Sequence, residues 1–372
     1  MIATAIGDAS KNAASPRPSG RAARALYWAV CIALTLVVFF VFLRVPGING
    51  YRGAMFSDMV YGRADKPYVF HAFIPAATRL LSSAIPDKTK QMMLQRVAAK
   101  PIVPRVLRRF QWEPQYLIEY AIACALMYAS LWGFLFSLRY LCTALFRAPG
   151  AFADAVPLLA LIGLPACFRY HSYLSDFPAL FLFSLGIGLM LARRWRLLLL
   201  LLLPATLNAS SAILLVLVFA IHFGRPGKMD RAHYLRLLLL QLAVVAGTEI
   251  CLLWAFRDNP GTILELHADH NLRLVSTYSL STLVVWSIIA IGICYRWSEK
   301  PQLLRDTLWI VPPVLVIALL FGYVDELRVY YEAYPAVLLL LAHTLAITVG
   351  APIRAIDGTA QPARGPRPTS AG

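Results

Sequence analysis

Three short segments of the 372-residue sequence hold most of the groups able to do polar chemistry. In the first, Tyr51 to Leu81, Asp58 precedes Lys66-Pro67-Tyr68, His71, Pro75 and Arg79. A carboxylate there can take a proton from an acceptor hydroxyl while His71 or Arg79 holds a phosphate. The second, Arg169 to Pro178, carries Tyr170, His171, Tyr173 and Asp176. Asp176 stands two residues before Pro178, which suits a helix N-cap. The third is Asp325-Glu326-Leu327-Arg328-Val329-Tyr330-Tyr331-Glu332-Ala333-Tyr334-Pro335. Read as a helix, it pairs Arg328 with Glu332 and places Glu326 beside Tyr330. Three acids, an arginine and the tyrosines around Tyr331 exceed what anchoring a helix requires. Each segment also has a plainer reading, as solvated interfacial loop, helix cap or aromatic belt.

The elements that must position these groups are membrane spans. Apolar residues make up 59% of the chain and charged residues 15%, against about 25% charged in an ordinary soluble domain. The apolar residues collect in runs such as Leu26 to Leu43, Tyr234 to Trp254 and Tyr278 to Tyr295, near the ~20 residues that cross a ~30 Å hydrocarbon core. The net charge of +16 is spread between those runs and forms no DNA-reading face, which argues against nucleic acid. Six cysteines lie in or beside apolar runs without metal-binding spacing, as small buried hydrophobes do. Leu26 to Leu43 exceeds a signal-peptide core and lacks a cleavage site, so it reads as an uncleaved first span.

Lys and Arg collect in cytoplasmic loops. Lys11 to Arg24, Arg139 and Arg147, Arg193 to Arg196, Arg225 to Arg231 and Arg296 to Arg305 agree on one side if Leu197 to Phe223 folds back as two short helices. Pro204 and Asn208-Ala209-Ser210-Ser211 offer the break, with Asn208 near its outer tip. The exception is the long loop after the first span, with twelve Lys or Arg from Arg44 to Arg109, and long loops obey the charge rule poorly. The expectation is an all-α, polytopic bundle of about ten spans over residues 25–350 in a bacterial-type inner membrane. A long external loop spans 45–115, and both the N-terminal 1–24 and the 351–372 tail are cytoplasmic and disordered. Within the loop, His71 to Ile85 and Gln91 to Ala99 predict amphipathic helices on the membrane surface. Asp58, Asp176, Glu265, Asp325, Glu326 and Glu332 then share the outer side, where a polar cavity would hold them. Glu249 inside a span needs a partner, and His267, Asp269 and His270 form a small cluster able to take a divalent cation.

One span, a long external loop with an early Asp58 and amphipathic helices, then many spans: this order resembles the polytopic GT-C glycosyltransferases. Tyr68 to Leu81, Ser175 to Phe183, Thr206-Leu207-Asn208 and Glu326 to Tyr330 resemble a group of uncharacterised bacterial GT-C-like membrane proteins. The chain departs from that group where Ala209-Ser210-Ser211 follows Asn208 in place of Arg-Glu-Thr, and where His71 replaces a common arginine. The resemblance implies a sugar transferred from a polyprenyl-phosphate donor to an envelope acceptor at the outer face. Asp58 would be the catalytic base, Arg328, Arg79 and His71 would hold the lipid phosphate, and Asp176 and Glu326 would orient sugar hydroxyls or a cation. His171, Asn208 and Tyr331 complete the expected substrate site. A transporter or lipid flippase using the same cavity, and a non-catalytic membrane scaffold, remain as alternatives.

Overall fold

The computed structural model describes residues 20–45, 47–264 and 266–356. Most of both predicted tails, and Glu265, lie outside the described residues. Where described, the tails are ordered: helix α1 (Gly20–Arg44) begins inside the predicted N-terminal tail. At the other end, Arg354–Ala355 (β2) pairs antiparallel with Phe146–Arg147 (β1), because Ile353 is buried and carries the strand onto the bundle.

Among the described residues the chain is otherwise helical. Five stretches are long and apolar enough to cross a membrane: Gly20–Arg44, Pro114–Leu145, Gly150–Cys167, Arg231–Ala255 and Gln302–Phe321. Ala268–Ser276 (α12) and Leu280–Cys294 (α13) form a sixth candidate, bent by 98° at their junction. Four shorter apolar helices are Asp176–Leu191, Trp195–Asn208, Ser210–Phe223 and Tyr334–Thr348. The outward faces are apolar: Leu239, Ile250 and Trp254 on the Arg231–Ala255 helix are each more than 60% exposed. Such surface is a liability in water and costs nothing against lipid tails. The protein is therefore a multi-pass helical membrane protein.

The predicted first external loop forms short helices: α2 (Phe56–Val60), α3 (Phe73–Ser83), α4 (Asp87–Ala98) and α5 (Val103–Phe110). Of these, α3 and α4 match the two amphipathic helices read from the sequence. The next helices are α6 (Leu117–Leu145), α7 (Gly150–Gly163), α8 (Asp176–Leu191), α9 (Trp195–Asn208), α10 (Ile213–Phe223) and α11 (Arg231–Ala255). After α12 and α13 come α14 (Gln302–Thr307), α15 (Val311–Phe321) and α16 (Tyr334–Thr348).

Helices α9 and α10 fold back on each other as the basic loops require. Trp195 at the start of α9 meets Phe219 and Phe223 at the end of α10, with ring centroids 5.7 and 5.0 Å apart. Pro204 stays within α9, and the break falls at Ala209, whose backbone is extended. Contacts tie several basic loops together, while the first-loop segment 44–109 carries twelve Lys or Arg residues of its own. Arg139 bonds Asp154 at the start of α7, and Arg225 bonds Asp306 in α14. Lys300 donates to the Leu340 carbonyl midway along α16 and to the Thr344 hydroxyl a turn later, and His343 between them stacks on Phe146 of β1. These contacts gather the basic loops at one end. At the other end lie the first-loop helices, the start of α8, the α9–α10 tip and the segment before α16.

Candidate functional site

The site is built where three chain breaks meet. Pro178 sits in the first turn of α8, where its missing N–H costs nothing, so the helix starts at Asp176. Asp176 is thus the first helical residue and not the predicted N-cap, a position taken by Ser175. Its Oδ2 accepts from the Tyr173 backbone N–H at 3.0 Å, bracing the turn before the helix. Its Oδ1 faces Arg328, 3.6 Å from Nη1.

Arg328 lies on a 3-10 turn, Leu327–Tyr330, because α16 starts only at Tyr334 with Pro335 in its first turn. The predicted i,i+4 pairing of Arg328 with Glu332 therefore does not form: it needs helical spacing that this segment lacks. Arg328 Nε instead donates to Glu326 Oε1 at 2.6 Å, and its guanidinium lies 4.0 Å from the Tyr173 ring centroid. Glu332 accepts from the Ser211 hydroxyl on the α9–α10 turn, and Tyr330 donates to the Val324 carbonyl in place of a face shared with Glu326. Asp176 and Glu326 are 5% and 4% exposed. Two buried carboxylates around one guanidinium leave the group formally anionic, yet Arg328 keeps further N–H donors able to meet an anion.

The first-loop segment and the hairpin tip close the site. His71 Nδ1 lies 2.7 Å from the Asn208 carbonyl; a carbonyl can only accept, so Nδ1 carries the proton and Nε2 presents its lone pair. Asn208 Nδ2 donates to the Ser175 carbonyl at 3.0 Å, one residue from Asp176. A run of rings joins the same parts: Tyr51 on Tyr68 and on His171, and Tyr68 stacked on Tyr173 with centroids 5.5 Å apart. Burial, then the charge of Arg328, lowers the His171 pKa below its ordinary value. For His71 burial, aided by Arg328, outweighs the opposing hydrogen bond to Asn208, and its pKa is also lowered. Burial pushes the Tyr173 phenol up to about 12, so it stays a donor. Several buried polar atoms in the segments that meet here have no hydrogen-bond partner among the described residues: Asn208 Oδ1, His171 Nδ1, Ser172 Oγ, Tyr331 Oη and Asp325 Oδ1. Such atoms are costly unless something else satisfies them.

Of the residues singled out from the sequence, His71, His171, Asp176, Asn208, Glu326, Arg328 and Tyr331 are thus brought together. Asp58 and Arg79 are not joined to them by any described contact. Asp58 pairs with Arg63 at 3.4 Å with its side chain 40% exposed, and Arg79 is exposed on α3. Asp325 accepts from Tyr170 and pairs with Arg169 at the rim. Among the described residues no three His, Cys, Asp or Glu side chains are placed to hold a metal ion. His267 and His270 pack their rings on Tyr323. Tyr51, Tyr68 and Ser211 are not among the site residues read from the sequence, although Tyr51 opens the Tyr51 to Leu81 segment and Tyr68 follows its Lys66-Pro67 pair. No protein-family model, curated protein or solved structure matches the chain.

Proposed function

We propose that the protein is a GT-C-like glycosyltransferase that takes a sugar from a polyprenyl-phosphate donor and binds it at the Arg328 cluster. In this reading the bundle makes ten crossings: the six longer candidates and the four shorter apolar helices, with each successive helix reversing direction. The basic end, with both termini, faces the cytoplasm, and the cluster opens at the outer face of an inner membrane.

The observation that carries the reading is the set of unpartnered buried polar atoms in the segments that meet at the Arg328 cluster, among carboxylates and aromatic rings. Sugars are recognised by such a set, with carboxylates and amides binding hydroxyls and rings packing on the apolar ring face. Arg328 retains donors for the phosphate. The acceptor hydroxyl oxygen would attack the anomeric carbon. The bond from that carbon to the phosphate oxygen breaks, the lipid phosphate leaves with the electron pair, and the hydroxyl proton passes to a base.

The resemblance assigns that base to Asp58. Geometry favours His71, a neutral imidazole whose tautomer is fixed by Asn208 with Nε2 free to accept. Transfer from polyprenyl-phosphate hexoses by the purified protein, with His71→Gln and Asp58→Asn in parallel, tests this. A loss of about 10²–10⁴ in turnover for His71→Gln, with donor binding kept, supports His71. An equal loss in Asp58→Asn alone returns the role to Asp58, and wild-type protein that binds no donor removes the transferase reading.

A transporter is the second reading, favoured by Gln241 and Glu249, eight residues apart along α11 and each with an unpartnered buried oxygen. Ionisable groups within membrane helices often mark a permeation route. Substrate counterflow in proteoliposomes without covalent product would favour it.

A further inference from the structure

We propose that the groove between α6 and α8, at the basic end of the bundle, is a binding site for one anionic phospholipid. An acyl chain would lie in the groove, with the phosphate at Arg193 and Arg194.

The two helices run in the same direction and in register: Gly133 packs on Phe181, and Tyr140 on Gly188, an offset of 48 residues both times. A Cβ on Gly133 would stand 2.6 Å from the Phe181 ring, so the close approach there depends on glycine. Toward the basic end the helices leave a cavity of about 480 Å³, within the roughly 300–1,000 Å³ typical of ligand pockets. Its floor is small and buried, with Ser137, Ser184 and Gly188, and its walls include Phe181, Leu185 and Tyr140. Ser184 spends its hydroxyl on the Leu180 carbonyl of its own helix, so this part of the floor asks for no polar partner.

Length and charge identify the occupant. From Phe181 to Ala192 the groove runs roughly 16 Å along α8, about one leaflet of a ~30 Å hydrocarbon core. It ends at Ala192, and the next two residues are Arg193 and Arg194, both exposed. The left-handed backbone of Arg193 (φ 53°) ends α8 at this point. One Arg193 N–H reaches the Lys228 carbonyl at 3.4 Å, and no ion pair involves Arg194 among the described residues. Arg139, on the same side, is already neutralised by Asp154. Tyr140, 46% exposed, lines the slot near this end as interfacial tyrosines do. An apolar slot of one-leaflet depth, whose last lining residue is followed in sequence by two exposed arginines, matches an anionic lipid of the leaflet at the basic end.

Native mass spectrometry of the full chain, with phosphatidylglycerol or phosphatidylcholine of the same acyl chains, tests this. Wild type should keep one phosphatidylglycerol through detergent removal, and R193Q/R194Q should weaken that retention roughly fivefold for each arginine. Ala192→Trp, at the exposed rim, should block the groove and abolish retention with both arginines present. R354Q, a basic residue at the same end on β2, should behave as wild type. Equal retention of the two lipids by wild type, equal losses in R354Q and R193Q/R194Q, or retention unchanged in Ala192→Trp would overturn the site. A wild-type dimer dissociated by Ala192→Trp would put a second copy of the chain in the groove instead.

Discussion

Replacing Arg328 with glutamine removes the one cation from between two buried carboxylates. Asp176 and Glu326 are 5% and 4% exposed, and Arg328 meets them at 3.6 and 2.6 Å. Removing one partner of a buried ion pair costs about 3–5 kcal/mol, because the remaining charge keeps its desolvation penalty without compensation. The guanidinium also lies 4.0 Å from the Tyr173 ring centroid, and a desolvated cation–π contact adds up to roughly 2 kcal/mol. Glutamine keeps some hydrogen bonding, so the net loss should fall near the lower end, about 3–4 kcal/mol. The assay is equilibrium unfolding in mixed micelles, comparing wild type, R328Q, D176N and R328Q/D176N. D176N should cost less than R328Q, because Arg328 keeps Glu326. The double variant should fall short of the summed losses by about 0.5–3 kcal/mol of coupling. Strict additivity, or an R328Q loss below about 1 kcal/mol, would mean that the cluster is solvated and the site misread.

Further outcomes follow from single contacts. Because the His71 and His171 pKa values are lowered in the folded protein, each contributes stability that is present above the ordinary histidine value of about 6.5 and lost as pH falls through the lowered values. Unfolding free energy should therefore decline below about pH 6.5, and His171→Gln should flatten that decline; an unchanged slope would remove His171 from it. Asn271, fully buried, donates to the Ala318, Leu319 and Gly322 carbonyls and accepts from Val324 N–H, tying α12 to the end of α15. Asn271→Ala should cost about 1–3 kcal/mol and raise hydrogen exchange at Val324; no change in exchange would refute the tie. Gly133→Leu should overpack Phe181 and cost about 1–3 kcal/mol, whereas Gly150→Ala, with open space at its Cβ, should be near neutral.

Much of the site was legible because polar groups are rare in this chain and costly inside a membrane. That scarcity drew attention to Asp176, Asn208, Glu326 and Arg328, and the fold joins all four to one cluster. The hairpin was legible for a different reason: the basic loop at Arg225 to Arg231 falls on the side of the other basic loops only if the chain turns back near Asn208. What failed was local pairing. An i,i+4 ion pair between Arg328 and Glu332 assumes a helix from Asp325 onward, but Pro335 fits best in the first turn, so the helix starts late and Arg328 turns to Asp176 across 152 residues of sequence. Sequence spacing carries no signal for such a contact. The same holds for β2, whose partner Phe146–Arg147 is distant in sequence, and for α5, too short for its periodicity to stand out. Asp58 shows the limit of order along the chain: it follows the first span as the resemblance expects, yet its partner is Arg63 five residues away.

The most direct test of the donor site is thermal stabilisation of the purified full chain by a polyprenyl-phosphate hexose, compared with the same polyprenyl phosphate without sugar. Wild type should gain an additional sugar-dependent stabilisation, and Glu326→Gln should lose that increment while keeping the response to the lipid phosphate. Equal stabilisation of wild type by the two lipids, across a panel of hexoses, would contradict a sugar site at the Arg328 cluster.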